Sequence, residues 1–123
     1  MYGEREIVAY KSFFWDFMAT LTESESQKIY YVLDMLKVRE RVSEKFVKHI
    51  KDGLYELRAE YNGNIYRLFF CFDKGKIVIL FNGFQKKTKK TPIKEINKAI
   101  KLKEEYYGSK FEKRWWGDEP EVW

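Results

Sequence analysis

The sequence is short of the residues on which most metal, disulfide and phosphate-loop chemistry depends. Its 123 residues contain one cysteine, Cys71, and one histidine, His49, so we predict neither an internal disulfide nor a zinc site. No glycine-rich phosphate loop occurs, and no apolar run reaches the length of about 18 residues that a membrane-spanning helix needs. The start, MYGEREIVAY, lacks the apolar region of a secretory signal. We therefore predict a protein of the cytoplasm.

What the sequence does have is apolar residues, aromatic rings and positive charge. Hydrophobic residues make up 45% of the chain and aromatic residues 19%, which indicates a folded domain with a substantial core and excludes a disordered chain. A chain of 123 residues is expected to form one domain. The formal net charge of +5 favours a polyanion or an acidic protein as partner.

Hydrophobic periodicity and turn residues divide the chain into strands and helices. EREIVAY predicts a first strand, and Thr22 with Glu25 forms a T-x-x-E capping box that begins a helix over about 23–40. Three strand-like runs follow: GLYELRAEY, NIYRLFFCF and KIVILFNGF. Thr91 as N-cap and Pro92 as first helical residue then begin a helix with apolar residues at 93, 96, 99 and 100 on one face. We predict an α+β domain over 1–107 and a C-terminal tail, which loses this periodicity, over 108–123.

The dipeptide Asn62-Gly63 predicts a two-residue hairpin turn of type I′ between the first two of these runs. The register that follows pairs Leu57 with Leu68 on a core face. It also places Arg58 directly opposite Arg67 on the other face, where like charges repel unless an acidic neighbour or a bound anion is present. Either Glu56 and Glu60 neutralise the arginines on a solvated face, or the arginines bind an anion.

A lysine-rich segment follows the third run, with cations at Lys86, Lys87, Lys89 and Lys90. With Lys74 and Gly75 as the second turn, the register predicts that Arg67 lies opposite Asn82, a few residues before this segment. The two arginines and the lysines would then gather near one end of the sheet. Together with the exposed amide groups at the start of the last helix they predict a phosphate-binding surface. The alternative is a solvated loop of lysines.

Four stretches, taken in order, resemble a known family. They are DGLYELR at 52–58, YRLFF at 66–70, IVILFNGFQKKTKKTP at 77–92 and EINKAI at 95–100. Together they are similar to the HigB-type toxins of the RelE/ParE superfamily, from bacterial type II toxin–antitoxin systems. The similarity covers most of the chain and is strongest from 46 to 107.

The resemblance implies a fold, an activity and partners. The family fold is a small twisted, mainly antiparallel sheet with helices packed on one face and an RNA site on the concave other face. The implied activity is that of an endoribonuclease (mRNA interferase) acting on mRNA at the ribosome, in which the 2′-hydroxyl attacks the adjacent phosphate without metal or cofactor. The implied partner is a helix-turn-helix antitoxin of HigA type, in a toxin–antitoxin hetero-oligomer.

The resemblance also assigns roles to residues. Arg58 and Arg67 match the family's basic strand positions and are expected to stabilise the phosphate and the transition state. Lys86 and Lys87 stand in the family's basic segment, where one of them is expected to act as acid or as a phosphate clamp. Lys89 and Lys90 are expected to hold RNA or the ribosome. Phe84 is a candidate for stacking on a base, although its strand spacing equally suits the core.

The general base is not identified by this resemblance. Some relatives place a histidine or tyrosine near the end of the last strand or helix, and this chain has neither there before Tyr106. Glu56 and Glu60 are the candidate carboxylates, while His49 is predicted to lie on the surface or on an edge strand. Cys71, flanked by phenylalanines, is predicted to be a buried apolar residue without catalytic function.

Two other functions stay open at this point. A ParE-like branch of the superfamily acts on DNA gyrase and is not a nuclease, and a non-catalytic module could bind RNA or the ribosome through the same cations. The arginines and lysines argue against the first, and a turnover assay separates the second from an enzyme.

Overall fold

A computed structural model of the protein describes residues 3–86 and 92–116, with residues 86 and 109–116 described by their backbone only. Within these ranges the chain forms five strands and three helices. The strands are β1 Glu6–Ala9, β2 Val47–Lys51, β3 Leu54–Tyr61, β4 Asn64–Asp73 and β5 Ile77–Lys86. The helices are α1 Phe13–Met18, α2 Glu23–Val38 and α3 Ile93–Trp116.

The strands form one sheet in the order β1-β5-β4-β3-β2. β1 pairs with β5 in parallel, and the other three pairs are antiparallel. The predicted α+β class with a mainly antiparallel sheet is therefore confirmed. Among the described helices, none is both long and apolar enough to cross a membrane.

The predicted capping box begins α2. The Thr22 side chain accepts a hydrogen bond from the Glu25 amide at 3.2 Å, and the Glu25 carboxylate accepts one from the Thr22 amide at 2.7 Å. The apolar stripe of the helix, formed by Ile29, Val32, Leu33 and Leu36, is buried. This stripe and α1 pack on the sheet face that carries Leu57, Leu68 and Phe70. The main core therefore lies on the face predicted from the hairpin register.

The β3–β4 hairpin has the predicted turn and register. Asn62 and Gly63 both adopt positive φ, at 53° and 79°, which is the conformation that a type I′ turn requires. Leu57 pairs with Leu68, and Arg58 pairs with Arg67. Each residue of this pair of strands therefore lies on its predicted face.

The register between β4 and β5 differs from the prediction. Arg67 lies opposite Phe84 and not opposite Asn82. One cause is the turn, where three residues separate the partners Asp73 and Ile77 instead of two. The other is a β-bulge between Leu68 and Phe70, where β5 carries one extra residue. Arg67 is consequently two residues nearer to the lysine-rich segment than the sequence predicted.

α3 packs on the face of the sheet opposite α1 and α2. Its residues Ala99, Leu102 and Tyr106 form a second buried cluster with Phe69, Cys71 and Phe81. The predicted packing of helices on one face thus describes α1 and α2, while α3 covers part of the other face. Ile93, predicted to share the buried stripe of this helix, is 73% exposed. The helix continues to Trp116, beyond residue 107 where we placed the end of the domain.

Candidate functional site

Glu56, Arg58 and Arg67 form an ion cluster on the face of the sheet that α3 partly covers. Arg67 Nη1 donates a hydrogen bond to Glu56 Oε1, and Arg58 Nε lies 3.4 Å from the same oxygen. Glu56 is 0% exposed and Arg67 is 2% exposed. The side chain of Arg58 is 31% exposed. The cluster therefore contains one buried carboxylate, one buried guanidinium and one guanidinium that reaches solvent.

The two predicted glutamates differ in their relation to the arginines. Glu56 is the acidic neighbour that offsets the opposed arginines. Glu60 is exposed and forms no ion pair with the described residues. The face itself is not solvated at Arg67, as the first alternative assumed, because Phe69 and Phe84 flank the arginine on the same face. Glu56, buried and bonded to both arginines, is unsuited to act as a general base.

The bulge in β5 brings Asn82 against the first turn of α3. Asn82 Nδ2 lies 3.3 Å from the Glu95 carbonyl oxygen and 3.1 Å from Glu95 Oε2, and donates to both. Neither residue was predicted to belong to the site. The signal was present in the Asn-Gly dipeptide inside an apolar strand, because a glycine within a strand often marks a bulge.

Two buried polar atoms on this face lack a hydrogen-bond partner. They are Arg67 Nε, a donor, and Asn82 Oδ1, an acceptor, and neither has a partner among the described residues. Buried polar atoms are rarely left unsatisfied in folded proteins. The cluster therefore retains hydrogen-bonding capacity beyond its internal ion pairs.

Phe84 lies at the edge of the second cluster. Its ring centroid is 5.7 Å from that of Phe69, with the ring planes tilted by 31°. Phe84 is half-buried and also lines a groove of about 400 Å³, which Phe13, Phe17 and Lys98 border as well. Part of the ring therefore packs against the core, and part is accessible to a ligand.

Of the four predicted lysines, the structure describes the backbone of Lys86. The backbone of Lys86 ends β5 and pairs with Ile65. Lys87, Lys89 and Lys90 lie outside the described residues, as does the predicted N-cap Thr91. The chain enters this segment two residues after Phe84, the partner of Arg67.

The single histidine and the single cysteine are outside this chemistry. His49 lies on the edge strand β2, as predicted, and its Nε2 accepts a hydrogen bond of 3.4 Å from the Gly53 amide. Cys71 is fully buried, as predicted, and burial raises the pKa of its thiol to about 11. A thiol with so high a pKa is a poor nucleophile at neutral pH.

Comparison with known proteins supports the broader group that the sequence resembles, and not the HigB type in particular. A search of the curated proteins found no match. A family model described as phage-derived protein Gp49-like (DUF891) matches residues 16–104, which span β2 to β5 and the whole ion cluster. The chain therefore belongs to the Gp49-like family of phage-derived proteins, part of the RelE/HigB-like group of toxins from toxin–antitoxin systems.

Proposed function

We propose that the protein is a HigB-type toxin that cleaves mRNA on the ribosome and thereby inhibits translation. Membership of a family of toxins from toxin–antitoxin systems supports the general role. The observation that carries the nuclease proposal is the position of Arg58. It is a partly exposed guanidinium, oriented by a buried carboxylate, and it lies opposite Arg67, whose own partner Phe84 comes two residues before the lysine-rich segment.

In the proposed reaction, the main contribution of this cluster is positive charge next to the reacting phosphate. The 2′-hydroxyl of the RNA gives up its proton and its oxygen attacks the adjacent phosphorus, the bond from phosphorus to the 5′ oxygen breaks, and that oxygen takes up a proton, which leaves a 2′,3′-cyclic phosphate. Negative charge accumulates on the non-bridging oxygens, where a fixed guanidinium is most stabilising. In this proposal Arg58 contacts those oxygens.

Arg67 has a different role in this proposal. Because it is buried and bonded to Glu56, it positions the carboxylate and, through it, Arg58. Lys86 or Lys87 protonates the leaving 5′ oxygen or clamps the phosphate, Lys89 and Lys90 hold RNA or the ribosome, and Phe84 stacks on a base.

A toxin of this group acts together with an antitoxin. We propose that the antitoxin here is a helix-turn-helix protein of HigA type. The two chains form a hetero-oligomer in the cytoplasm.

The test is to induce the wild type and Arg58→Gln in bacteria and to map message ends by primer extension. One transcript is translated, and a second lacks its start codon. We expect wild-type cleavage on the translated message only, and loss of cleavage in Arg58→Gln. Arg41→Gln, which removes an exposed arginine from the α2–β2 link, is the matched control.

The outcomes separate the candidate functions. Growth arrest with intact message would favour a gyrase-directed toxin. RNA binding without cleavage would favour a non-catalytic module. Cleavage by a stably folded Arg58→Gln variant would overturn the assignment of Arg58.

A further inference from the structure

The groove that Phe84 lines, about 400 Å³ in volume, lies beside the later part of β5. β1 pairs with β5 only as far as Leu80, and beyond that point α1 packs against β5, with Phe17 next to Gly83. We call this space the Phe84 groove. Its described lining comes from α1 with the turn that follows it, from residues 82–85 of β5 and from Lys98 of α3.

Helical spacing and packing give the Phe84 groove fixed walls. Phe13, Asp16, Phe17 and Thr20 follow the i, i+3, i+4, i+7 pattern, so they share one side of α1 and its following turn. The Thr20 amide holds this turn by donating a hydrogen bond of 3.0 Å to the Phe17 carbonyl. From α3, Lys98 Nζ lies 5.2 Å from the centre of the Phe13 ring. The groove is therefore formed by contacts within the fold.

The Phe84 groove adjoins the ion cluster through Phe84 itself. Phe84 pairs with Arg67, which pairs with Arg58, so the three side chains lie on the same face of the sheet. Arg58 and Phe84 are on strands two positions apart, a separation of about 10 Å. Neighbouring nucleotides of an extended single strand cover such a span. A phosphate at Arg58 therefore places the base of a nearby nucleotide at the groove.

The charges of the lining favour a neutral ligand. Among the described lining residues, Asp16 supplies one negative charge and Lys98 supplies one positive charge. The carboxylate disfavours a phosphate or an acidic peptide, and the ammonium disfavours an arginine or lysine side chain. A nucleobase is neutral and planar, with a face that stacks on an aromatic ring and an edge that forms hydrogen bonds.

Most of the polar groups placed in this lining are hydrogen-bond acceptors. Asp16 Oδ2 accepts a hydrogen bond of 3.0 Å from Ser12 Oγ, and the carboxylate has further lone pairs. The Thr20 hydroxyl donates its proton to the Phe17 carbonyl at 2.7 Å, which leaves its oxygen to accept. Asn82 Oδ1 is a buried acceptor without a partner among the described residues. The lining therefore favours a ligand edge that is rich in donors.

We propose that the Phe84 groove binds a guanine base close to the phosphate that Arg58 contacts. Of the four RNA bases, guanine has the most donors on its Watson–Crick edge, because its N1–H and its N2 amino group lie side by side, next to the acceptor O6. The Asp16 carboxylate accepts from N1 and N2, Lys98 donates to O6, and the base stacks on Phe84. This inference rests on the proposed function, because the RNA enters the groove from the cleavage site.

Binding is measured by fluorescence anisotropy with labelled oligouridylates of about ten nucleotides, within the range that single-strand-binding domains occupy. The probes carry one central guanosine, inosine or adenosine, and methylation of every 2′-hydroxyl prevents cleavage. We expect the wild type to bind the guanosine probe about tenfold more tightly than the adenosine probe, as one bidentate contact to a base provides. Inosine lacks the N2 amino group, so its probe is expected to bind with intermediate affinity.

Asp16→Asn separates base recognition from a structural role of this residue. The variant keeps the size of the side chain but loses the carboxylate, so we expect it to bind the guanosine probe no better than the adenosine probe. Its affinity for the adenosine probe should equal that of the wild type, whereas a structural role would weaken binding of both probes. Asp34→Asn, which changes an exposed carboxylate on α2, is the matched control and should retain the preference.

Three outcomes would overturn the proposal. The first is equal binding of the guanosine and adenosine probes by the wild type, and the second is an unchanged preference in Asp16→Asn. The third is a wild type that binds none of the probes. Displacement of the probes by an arginine-rich peptide, without any base preference, would overturn it too and would indicate a site for a basic protein segment.

The result is independent of the test of the proposed function. If Arg58→Gln abolishes cleavage while the wild type shows no preference for guanosine, the groove proposal is wrong and the nuclease proposal stands. If the wild type cleaves no message but shows a guanosine preference that Asp16→Asn abolishes, the nuclease proposal is wrong and the groove remains a guanine-binding site.

Discussion

Arg58 lies directly opposite Arg67 in the antiparallel pair of β3 and β4, and both side chains bond to one oxygen of Glu56. Two guanidinium groups in this position repel each other across the strands. Glu56 offsets that repulsion from inside the sheet, where water screens little of the interaction. The buried carboxylate of Glu56 therefore offsets the repulsion between the two guanidinium groups. The guanidinium groups in turn stabilise the buried negative charge of Glu56.

The first prediction concerns Arg67. Arg67→Ala removes a buried ion-pair partner of Glu56, whose carboxylate is itself 0% exposed. We expect the free energy of unfolding to fall by about 3–5 kcal/mol, as when other buried ion pairs are broken from one side. Urea unfolding followed by circular dichroism measures the change.

A compensated variant tests the reason for that loss. Glu56→Leu/Arg67→Met replaces both buried charges by apolar groups, and we expect it to recover most of the lost stability. Arg41→Ala, an exposed arginine, is expected to change stability by no more than about 0.5 kcal/mol. An Arg67→Ala variant as stable as the wild type would show that Glu56 is not buried in the way described.

The second prediction concerns Gly83, next to the bulge in β5. A Cβ atom at this position would lie 2.4 Å from Cδ2 of Phe17, whose ring is buried in the main core. Because an aromatic ring cannot yield without shifting its neighbours, we expect Gly83→Ala to lower the free energy of unfolding by about 1–3 kcal/mol. Urea unfolding is again the measurement.

The control for this prediction is another glycine. Gly108 lies within α3, and a Cβ atom there would meet nothing within 4 Å. We expect Gly108→Ala to stabilise the protein by up to about 1 kcal/mol through helix propensity. If the clash with the Phe17 ring is the cause, Gly83→Ala should cost less stability in a Phe17→Leu background than in the wild type. An equal cost in both backgrounds would contradict this explanation.

The third prediction is a pH dependence that involves Tyr66 and Glu25. The Thr22 amide and then the Tyr66 hydroxyl donate to the Glu25 carboxylate and lower its pKa. The stability gained from a lowered pKa is present above the ordinary carboxyl value of about 4.3 and is lost as the pH falls through the lowered pKa. Tyr66→Phe removes one donor, so its deficit relative to the wild type should be larger at neutral pH than at pH 3.

The same pair gives an opposite dependence in alkali. Burial, and then Glu25, raise the pKa of Tyr66 to about 12. Stability from a raised pKa is present below the ordinary tyrosine value of about 10 and is lost as the pH rises through the raised value. Tyr66→Phe has no hydroxyl to titrate and should not show this alkaline loss of stability. The control Tyr31→Phe changes an exposed ring and should follow the wild type at both acid and alkaline pH. A constant difference between Tyr66→Phe and the wild type across the pH range would contradict both dependences.

Turn residues and capping residues in the sequence were sufficient to predict the hairpin and the helix start that they determine. Asn62 and Gly63 determine a turn, and a turn of known length determines every pair between β3 and β4. Thr22 and Glu25 determine the start of α2 in the same way. The opposition of Arg58 and Arg67 was therefore predictable from the sequence.

Features that depend on tertiary packing were not predictable in this way. The apolar run KIVILFNGF is compatible with a regular strand as well as with a bulged one. Counting residues from the turn therefore could not predict the bulge or the pairing of Arg67 with Phe84. The placement of α3 on the second face also depends on how the whole chain packs. That placement buries part of the face on which Arg67 lies and exposes Ile93.

The parallel pairing of β1 with β5 also constrains the order in which the protein can fold. Residues 6–9 pair with residues 77–80, so about 70 residues separate the two strands along the chain. The β3–β4 hairpin closes over a two-residue turn, whereas β1 must wait for a partner of much greater sequence separation. During synthesis β1 leaves the ribosome before β5 and therefore stays without this partner until β5 has emerged, so the sheet is completed only after β5 has been made.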